Sequence, residues 1–292
     1  MTSPIARPWR EFTFRAPDGI LLFARDRGPL GSSLTPLLCL PGLTRNSMDF
    51  EPLAEQLGES RRLIALDYRG RGRSQYAPDP STYTPRHELE DAIALLDHLK
   101  LDRVCVVGTS RGGIIAMLMA AIHAPRLAGA VLNDIGPRLE TTGLLRIARL
   151  VAQPASLGSW ADAIASLKDS NPGIENITED CWLRFAKRLF RQEGEQVIAD
   201  HDPGIAHTFP TAEDIANNRN AELWQFFTAL RDKPCAVLRG ENSDLLSEAT
   251  VAEMASLHPG LIAVTVRDRG HVPFLDEPES LAAIRAVAAA CD

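Results

Sequence analysis

The chain has 292 residues, a hydrophobic content of 45% and a formal net charge of -7. This length and apolar content are enough for a large core, and one α/β domain with an insertion is a usual organisation at this size. The charge argues against a nucleic-acid or anionic-membrane surface, and no segment approaches the ~20 apolar residues of a membrane span.

Strand and helix patterns alternate through most of the chain. The first two strands flank Pro17-Asp18-Gly19 and predict an antiparallel hairpin. Thr84 and Pro85 are a favourable cap and first turn for a helix that runs to about Leu99. In chain order, the predicted strands are residues 9–14, 20–27, 36–40, 62–66, 104–107, 130–133, 235–240 and 261–266, and the closing helix is 281–290. This order predicts an α/β fold with a mainly parallel central sheet and helices on both faces.

The sequence Gly108-Thr109-Ser110-Arg111-Gly112 lies between a β-branched strand and the apolar helix 114–122. A serine between glycines on a strand-turn-helix is the nucleophile elbow. The tight turn excludes bulky neighbours, which accounts for Gly108 and Gly112. Because the helix directs free N–H groups at the serine, Ser110 is predicted to be a nucleophile with an oxyanion held beside it.

Two backbone N–H groups are predicted to form the oxyanion hole. One belongs to Arg111, directly after the nucleophile, and its side chain is incidental to that role. The other is assigned to Leu43, in the loop 41–46 after the third strand, where Gly42 permits close approach. The arginine- and glycine-rich turn 67–74 is interpreted as a structural loop that braces this edge of the sheet, rather than as an anion site.

Helical periodicity replaces the strand pattern between residues 137 and 231. Apolar residues recur at helical spacing in segments 144–151 and 182–189, and Ser159 and Thr211 precede expected helix starts. An all-helical insertion before the last two strands predicts a cap over the catalytic edge. The predicted domains are a core of residues 1–136 and 232–292 and a helical cap, or lid, of residues 137–231.

Two histidines of the insertion, His201 and His207, lie near Asp200 and Asp202. Without a further clustered ligand they are interpreted as structural or pocket residues, so neither a metal nor a cofactor is expected. Four arginines fall on predicted helices, where one is a candidate for a substrate carboxylate and a solvated face is the simpler interpretation: Arg146, Arg149, Arg184 and Arg188.

The general base is predicted to be His271. It follows the last strand in a Gly-His-Val-Pro loop. Loops at the carboxyl ends of parallel strands converge on one crevice, so this histidine can meet Ser110 and accept its proton.

The acid that orients the imidazole is assigned to Asp244, in the polar loop after strand 235–240. Two alternatives remain. Glu241 lies in the same loop, and Asp134 ends the strand 130–133, where it is also a candidate for a structural cap.

Together, the elbow, the Leu-Pro-Gly-Leu-Thr loop, the turn 67–74, the Gly-Glu-Asn-Ser-Asp loop and the Arg-Gly-His-Val-Pro-Phe-Leu-Asp-Glu-Pro tail resemble the α/β-hydrolase superfamily. The resemblance spans nearly the whole chain. It is greatest to the small, lid-bearing bacterial branch of carboxylesterases, lactonases, C–C hydrolases and cofactor-free perhydrolases. Pro41-Gly42 departs from the His-Gly of many members, whose histidine supports the oxyanion loop. A serine rather than an aspartate nucleophile argues against the dehalogenase and epoxide-hydrolase branches.

The resemblance and the residues imply a serine hydrolase of small to medium carboxylic esters, or of lactones, that acts through an acyl-enzyme on Ser110. The same constellation serves C–C cleavage of meta-cleavage products, acyl transfer and perhydrolysis. A non-catalytic ligand receptor is the alternative from another class. The expected partner is a small-molecule substrate, and the oligomeric state, a homo-oligomer included, is left open.

A cytoplasmic location is expected from two features. The five cysteines are scattered, with Cys39, Cys105 and Cys235 in predicted buried strands. The first eight residues lack the apolar core of a signal peptide.

Overall fold

The structure, a computed structural model, describes residues 8–152, 156–217 and 222–292. Its strands are β1 (Arg10–Arg15), β2 (Leu21–Arg27), β3 (Leu37–Leu40), β4 (Leu63–Asp67), β5 (Val104–Thr109), β6 (Leu127–Asn133), β7 (Ser156–Leu157), β8 (Phe190–Glu193), β9 (Gln196–Ala199), β10 (Cys235–Gly240) and β11 (Ile262–Val266). Its α-helices are α1 (Glu51–Leu57), α2 (Pro85–His98), α3 (Arg111–Ile122), α4 (Thr141–Val151), α5 (Trp160–Ser170), α6 (Glu179–Leu189), α7 (Ala212–Ala216), α8 (Trp224–Thr228), α9 (Glu248–Leu257) and α10 (Pro278–Ala290).

Residues 1–7, on which most of the signal-peptide expectation rests, lie outside the described residues. Within the three described ranges, no helix has both the length and the apolar character needed to cross a membrane.

Eight of the described strands form the central sheet, in the order β1-β2-β4-β3-β5-β6-β10-β11. The pairs β1–β2 and β2–β4 are antiparallel, whereas the pairs from β4 to β11 are parallel. The inner strands are buried on both faces, which explains their nearly continuous apolar sequences. The prediction of a mainly parallel sheet with an antiparallel start is confirmed.

Helices cover both faces of the sheet. Leu53 of α1 and Ile284 of α10 belong to the core on one face, and Leu89 of α2 and Ile115 of α3 belong to the core on the other. Helix α2 begins where it was predicted, with the Thr84 side chain accepting a hydrogen bond from the backbone N–H of His87. Both cores hold the parallel strands rigidly, so the loops at the strands' carboxyl ends have fixed positions.

The segment between β6 and β10, called the insertion here (residues 137–231), is mixed rather than all-helical. It contains α4 to α8 and a small antiparallel sheet in the order β7-β9-β8. The expectation of an all-helical insertion was therefore wrong. Strand β8 is mostly exposed and polar, so it carries no apolar run that marks a strand in the sequence. Ser159 and Thr211 do cap α5 and α7, as predicted.

The insertion has a small core of its own and is tied to the rest of the chain by backbone hydrogen bonds. Trp182 and Phe185 of α6 pack in that core against Leu167 of α5. The Gly143 N–H donates to the Asp244 carbonyl over 3.0 Å, which fixes the start of α4 on the loop after β10. Helix α4 consequently lies beside the carboxyl edge of the sheet.

Candidate active site

Ser110 occupies the turn between β5 and α3 with φ 49° and ψ -107°. This backbone conformation is strained for a residue with a side chain and is typical of functional turns. Close backbone contacts enforce it. A Cβ at Gly112 would lie 2.0 Å from the Leu40 carbonyl oxygen, and one at Gly108 would lie 2.4 Å from the Gly112 backbone. The glycines on either side of the serine are therefore a steric requirement.

The structure brings Ser110 and His271 together. The Nε2 atom of His271 lies 3.0 Å from Ser110 Oγ, and Nδ1 lies 2.7 Å from the Asp134 Oδ2 atom. The imidazole is largely buried, and the Asp134 side chain is completely so. With Nδ1–H donating to the carboxylate, Nε2 is free to accept the proton of the serine hydroxyl.

The acid beside His271 is thus Asp134 and not Asp244, so the assignment of Asp244 is corrected. Asp134 follows β6 with φ 51°, a conformation that Asp tolerates better than most residues and that turns its side chain back over the sheet edge. Its Oδ1 atom accepts from the Gly240 N–H at 2.8 Å, and its Oδ2 atom also accepts from Ser243 Oγ at 2.6 Å. These donors hold the carboxylate in one orientation.

Asp244 is engaged by the insertion instead. Arg146 of α4 donates two hydrogen bonds of 2.7 Å to its two carboxylate oxygens and a third, of 2.8 Å, to the Ser170 carbonyl. Burial acts to raise the pKa of Asp244, but the Arg146 guanidinium outweighs it and holds that pKa below its usual value. The other alternative, Glu241, accepts from the Asp268 N–H at 3.2 Å.

Leu43 and Arg111 lie with Ser110 around one cavity. Arg111 is the first residue of α3, so its N–H has no partner within the helix. Among the described residues, no backbone or side-chain acceptor receives the N–H of Leu43 or of Arg111. The two predicted donors are therefore available to a ligand beside the serine.

Two cavities meet at Ser110. The larger one, of about 460 Å³, has mainly apolar walls that include Ile114, Leu144 and Phe209. The smaller one, of about 60 Å³, is lined by His271, by polar side chains such as Arg45 and by apolar side chains such as Leu150. Most walls of both cavities that do not come from the sheet edge come from the insertion.

An outer pocket of about 80 Å³ continues from the smaller cavity past Arg45 to His201. Burial lowers the pKa of His201 to about 4, and the positive charge of Arg71 acts in the same direction. The ring is consequently neutral near neutral pH. In the described parts of the chain, no group of three or more His, Cys, Asp or Glu side chains is arranged to hold a metal ion.

Residues 37–284 match the alpha/beta hydrolase family. The chain belongs to this family. It is 31% identical over 252 residues to the 3-hydroxybutyrate-oligomer hydrolase of Cupriavidus necator, which covers 84% of this chain and 85% of that protein. It is 30% identical over 268 residues to the 2-(acetamidomethylene)succinate hydrolase of Mesorhizobium japonicum, which covers 89% of this chain and 88% of that one.

A solved structure gives the same result. The crystal structure of an alpha/beta hydrolase from Novosphingobium aromaticivorans is 40% identical and superimposes with a TM-score of 0.89, covering 98% of this chain and 99% of that one. The resemblance drawn from the sequence motifs is confirmed. The protein has an α/β-hydrolase fold and is a hydrolase.

Sequence reasoning missed a set of buried charges in this α/β hydrolase. The side chain of Arg111, treated above as incidental, is largely buried and lies 3.5 Å from the carboxylate of Glu88. Glu88 is completely buried and also pairs with Arg71, at 2.8 Å. A signal was present, because Glu88 stands four and seven residues before Ala92 and Leu95, on the apolar face of α2.

The turn 67–74 contributes to the same region. Arg71 Nε donates to the Leu43 carbonyl at 2.8 Å, and the Asp67 carboxylate accepts from the N–H groups of Ser47 and Arg73 at 2.7 and 2.9 Å. These contacts agree with the interpretation of the turn as a brace for the sheet edge.

Proposed function

We propose that the protein hydrolyses small to medium carboxylic esters through an acyl-enzyme on Ser110. The observation that carries this proposal is the hydrogen-bond chain from Asp134 through His271 to Ser110, at a cavity that is also lined by Leu43 and Arg111, the residues of the two candidate oxyanion donors. A nucleophile, a base, an acid that orients the base and an oxyanion site are the components that acyl transfer requires.

Acylation begins when Ser110 Oγ attacks the ester carbonyl carbon and His271 Nε2 takes the hydroxyl proton. The carbonyl oxygen becomes an oxyanion, which accepts hydrogen bonds from the N–H groups of Leu43 and Arg111. Asp134 stabilises the imidazolium. Collapse of the tetrahedral intermediate breaks the ester C–O bond, and His271 returns the proton to the departing alcohol.

Deacylation repeats these steps with water. His271 removes a proton from the water, whose oxygen attacks the acyl carbon in the same oxyanion site. The second intermediate releases the carboxylic acid and restores the Ser110 hydroxyl. The insertion serves as a cap in this scheme, since α4 and the segment around Phe209 wall the cavities above the serine and limit access of bulk water.

Three features support an ester with an apolar portion of moderate size. The 460 Å³ cavity is mainly apolar and has room for such a portion, whereas the 60 Å³ cavity is much smaller. The relative from Cupriavidus necator is named for 3-hydroxybutyrate oligomers. Short esters of hydroxy acids are therefore the first natural substrate class to assay, with lactones next.

The test is steady-state hydrolysis of p-nitrophenyl esters from acetyl to decanoyl by the wild type and by Ser110→Ala. We expect a chain-length optimum in the wild type and a fall in kcat on the order of 10⁶ in the variant. An acyl adduct on the peptide that contains Ser110, trapped by acid quench and detected by mass spectrometry, would establish the covalent route. Equal inactivity of both proteins on every ester would exclude ester hydrolysis.

A further inference from the structure

Glu88 lies at the centre of a buried charge cluster beneath the candidate active site. Its side chain is completely buried in α2. One carboxylate oxygen lies 2.8 Å from Arg71 Nη2, and the other lies 3.5 Å from Arg111 Nη1. A single carboxylate thus bridges two guanidinium groups, of which Arg71 is wholly buried and Arg111 nearly so.

Each of these arginines is connected to one candidate oxyanion donor. Arg71 Nε donates to the Leu43 carbonyl over 2.8 Å. The backbone N–H of Leu43 is one of the two candidate donors. Arg111 supplies the other donor from its own backbone. Glu88 therefore contacts the Arg111 side chain directly and reaches Leu43 through the side chain of Arg71.

The two guanidinium groups repel each other. Burial lowers the pKa of Arg71, and the positive charge of Arg111 lowers it further, whereas the charge of Glu88 raises it. Like charges at this depth have little water to screen them. The charge of the Glu88 carboxylate offsets this repulsion and so favours the close approach of the two arginines.

We propose that Glu88 is a positioning residue of the oxyanion hole. Its carboxylate sets the separation of the Leu43 and Arg111 N–H groups by bridging Arg71 and Arg111. This inference rests on the proposed ester hydrolysis. Glu88 touches no reacting atom, so its effect appears in transition-state stabilisation and not in binding of the ester ground state.

Asp91 provides a matched control on the same helix. It is also completely buried, and its carboxylate accepts hydrogen bonds of 2.8 and 2.6 Å from Arg69. Neither Leu43 nor Arg111 is among the partners of this pair. Asp91→Asn therefore removes a buried carboxylate from α2 without removing a direct partner of Leu43, Arg71 or Arg111. The bond from Arg71 Nη1 to the Arg69 carbonyl, of 2.7 Å, is to the backbone and is kept.

The experiment compares wild type, Glu88→Gln, Glu88→Asp and Asp91→Asn. Three quantities are measured: kcat and KM for p-nitrophenyl butyrate, the inhibition constant of 1-butaneboronic acid, and the melting temperature. Boronic acids form a tetrahedral adduct on the serine that places a hydroxyl at the oxyanion position. Displacing a catalytic group by about 1 Å costs up to about 10²-fold, so we expect kcat of Glu88→Gln to fall about 10- to 100-fold with KM within about twofold.

The boronic acid should lose affinity by a similar factor in Glu88→Gln, while Asp91→Asn keeps kcat and inhibitor affinity within about twofold of wild type despite its own loss of stability. Glu88→Asp, which keeps the charge on a shorter side chain, should fall between wild type and Glu88→Gln. If Glu88→Gln does not fold, Glu88→Asp tests the positioning role alone. Wild-type values of kcat and inhibitor affinity in Glu88→Asp would then overturn the inference.

The outcomes separate the two proposals. An active wild type with an unchanged Glu88→Gln, or equal losses of kcat and inhibitor affinity in Glu88→Gln and Asp91→Asn, would overturn the positioning role and leave the esterase function in place. A wild type that hydrolyses no ester would overturn both.

Discussion

The guanidinium of Arg146 and the carboxylate of Asp244 form two hydrogen bonds of 2.7 Å, which join α4 of the insertion to the loop after β10. Arg146 thus binds the carboxylate of Asp244, the acid that the sequence pattern favoured as the partner of His271. Asp134, from the neighbouring β6, contacts the histidine instead.

The two acids should therefore differ sharply on substitution. Asp134→Asn replaces the acceptor of the His271 Nδ1–H by an amide that can favour the wrong tautomer, and we expect kcat on p-nitrophenyl esters to fall about 10⁴-fold. Asp244→Asn should keep kcat within about tenfold of wild type, because its carboxylate contacts Arg146 and not the imidazole. The opposite ranking of the two kcat values would return Asp244 to the triad.

A second prediction concerns pH and His201. Its pKa is about 4 in the folded protein and 6.5 in the absence of burial, so below about pH 6.5 the unfolded chain takes up a proton that the native state does not. The free energy of unfolding is therefore highest above that pH and decreases as the pH falls towards about 4, by about 2–3 kcal/mol from this residue.

Urea unfolding of wild type and His201→Gln at several pH values tests this. The variant should show a flatter pH dependence between about pH 6.5 and 4. His207→Gln removes an exposed imidazole of the same segment and is the matched control. The same dependence of unfolding free energy on pH in wild type and His201→Gln would show that His201 is not held neutral by burial in the native state.

The two cavities at Ser110 can be distinguished by filling each one. Leu139 lines the larger cavity and Leu150 the smaller one. Leu139→Trp should move the optimum of kcat/KM towards shorter acyl chains, whereas Leu150→Trp should leave the optimal length in place. A shift caused by Leu150→Trp alone would place the apolar portion of the substrate in the smaller cavity.

The nucleophile turn gives a stability prediction. Gly112→Ala brings a methyl group to 2.0 Å from the carbonyl oxygen of Leu40, which belongs to β3 and cannot rotate away. We expect a loss of about 1–3 kcal/mol in unfolding free energy, despite the better helix propensity of alanine. Gly31→Ala, where no atom lies within 4 Å of the added Cβ, should leave the melting temperature nearly unchanged. Equal melting temperatures would show that the turn relaxes.

Local sequence pattern predicted the sheet, and it placed the loops of Ser110 and His271 at the same edge of that sheet. The elbow around Ser110 follows β5, a buried parallel strand with a recognisable apolar sequence. The loop around His271 follows β11, an edge strand that is only partly buried but whose run of apolar and β-branched residues is still typical of a strand. The antiparallel hairpin of β1 and β2 also followed from its turn residues, since Pro17-Asp18-Gly19 allows few backbone conformations.

The acid could not be assigned in this way. Asp134 and Asp244 both follow strands that end at the same edge of the sheet, and the sequence contains no distance between either carboxylate and the imidazole. What separates them is the left-handed conformation of Asp134 and the position of Arg146, and both depend on the tertiary structure.

The small sheet of the insertion and the role of Glu88 were missed for related reasons. Strand β8, which pairs with β9 around Gly194, is mostly exposed and polar and has no apolar run. Strand β9 has buried apolar residues, but at four residues it is too short to be told from a turn of helix by its pattern. A glutamate in a helix is by default interpreted as solvated. Only its neighbours Arg71 and Arg111, distant in sequence, make its burial favourable.

The placement of Asp134 has a consequence for how this scaffold can change. Ser110 and Asp134 follow two hydrogen-bonded neighbours, β5 and β6, and both precede the insertion in the chain. Of the three residues, His271 alone follows the insertion in the chain. The insertion can therefore be exchanged for a segment of different length without separating Ser110 from Asp134. The loop after β10 can change with it as long as the Gly240 N–H and the Ser243 hydroxyl, which hold the Asp134 carboxylate, are kept. Chimeras with new caps on this core should keep Ser110 and Asp134 in their present positions and differ mainly in which acyl groups they accept.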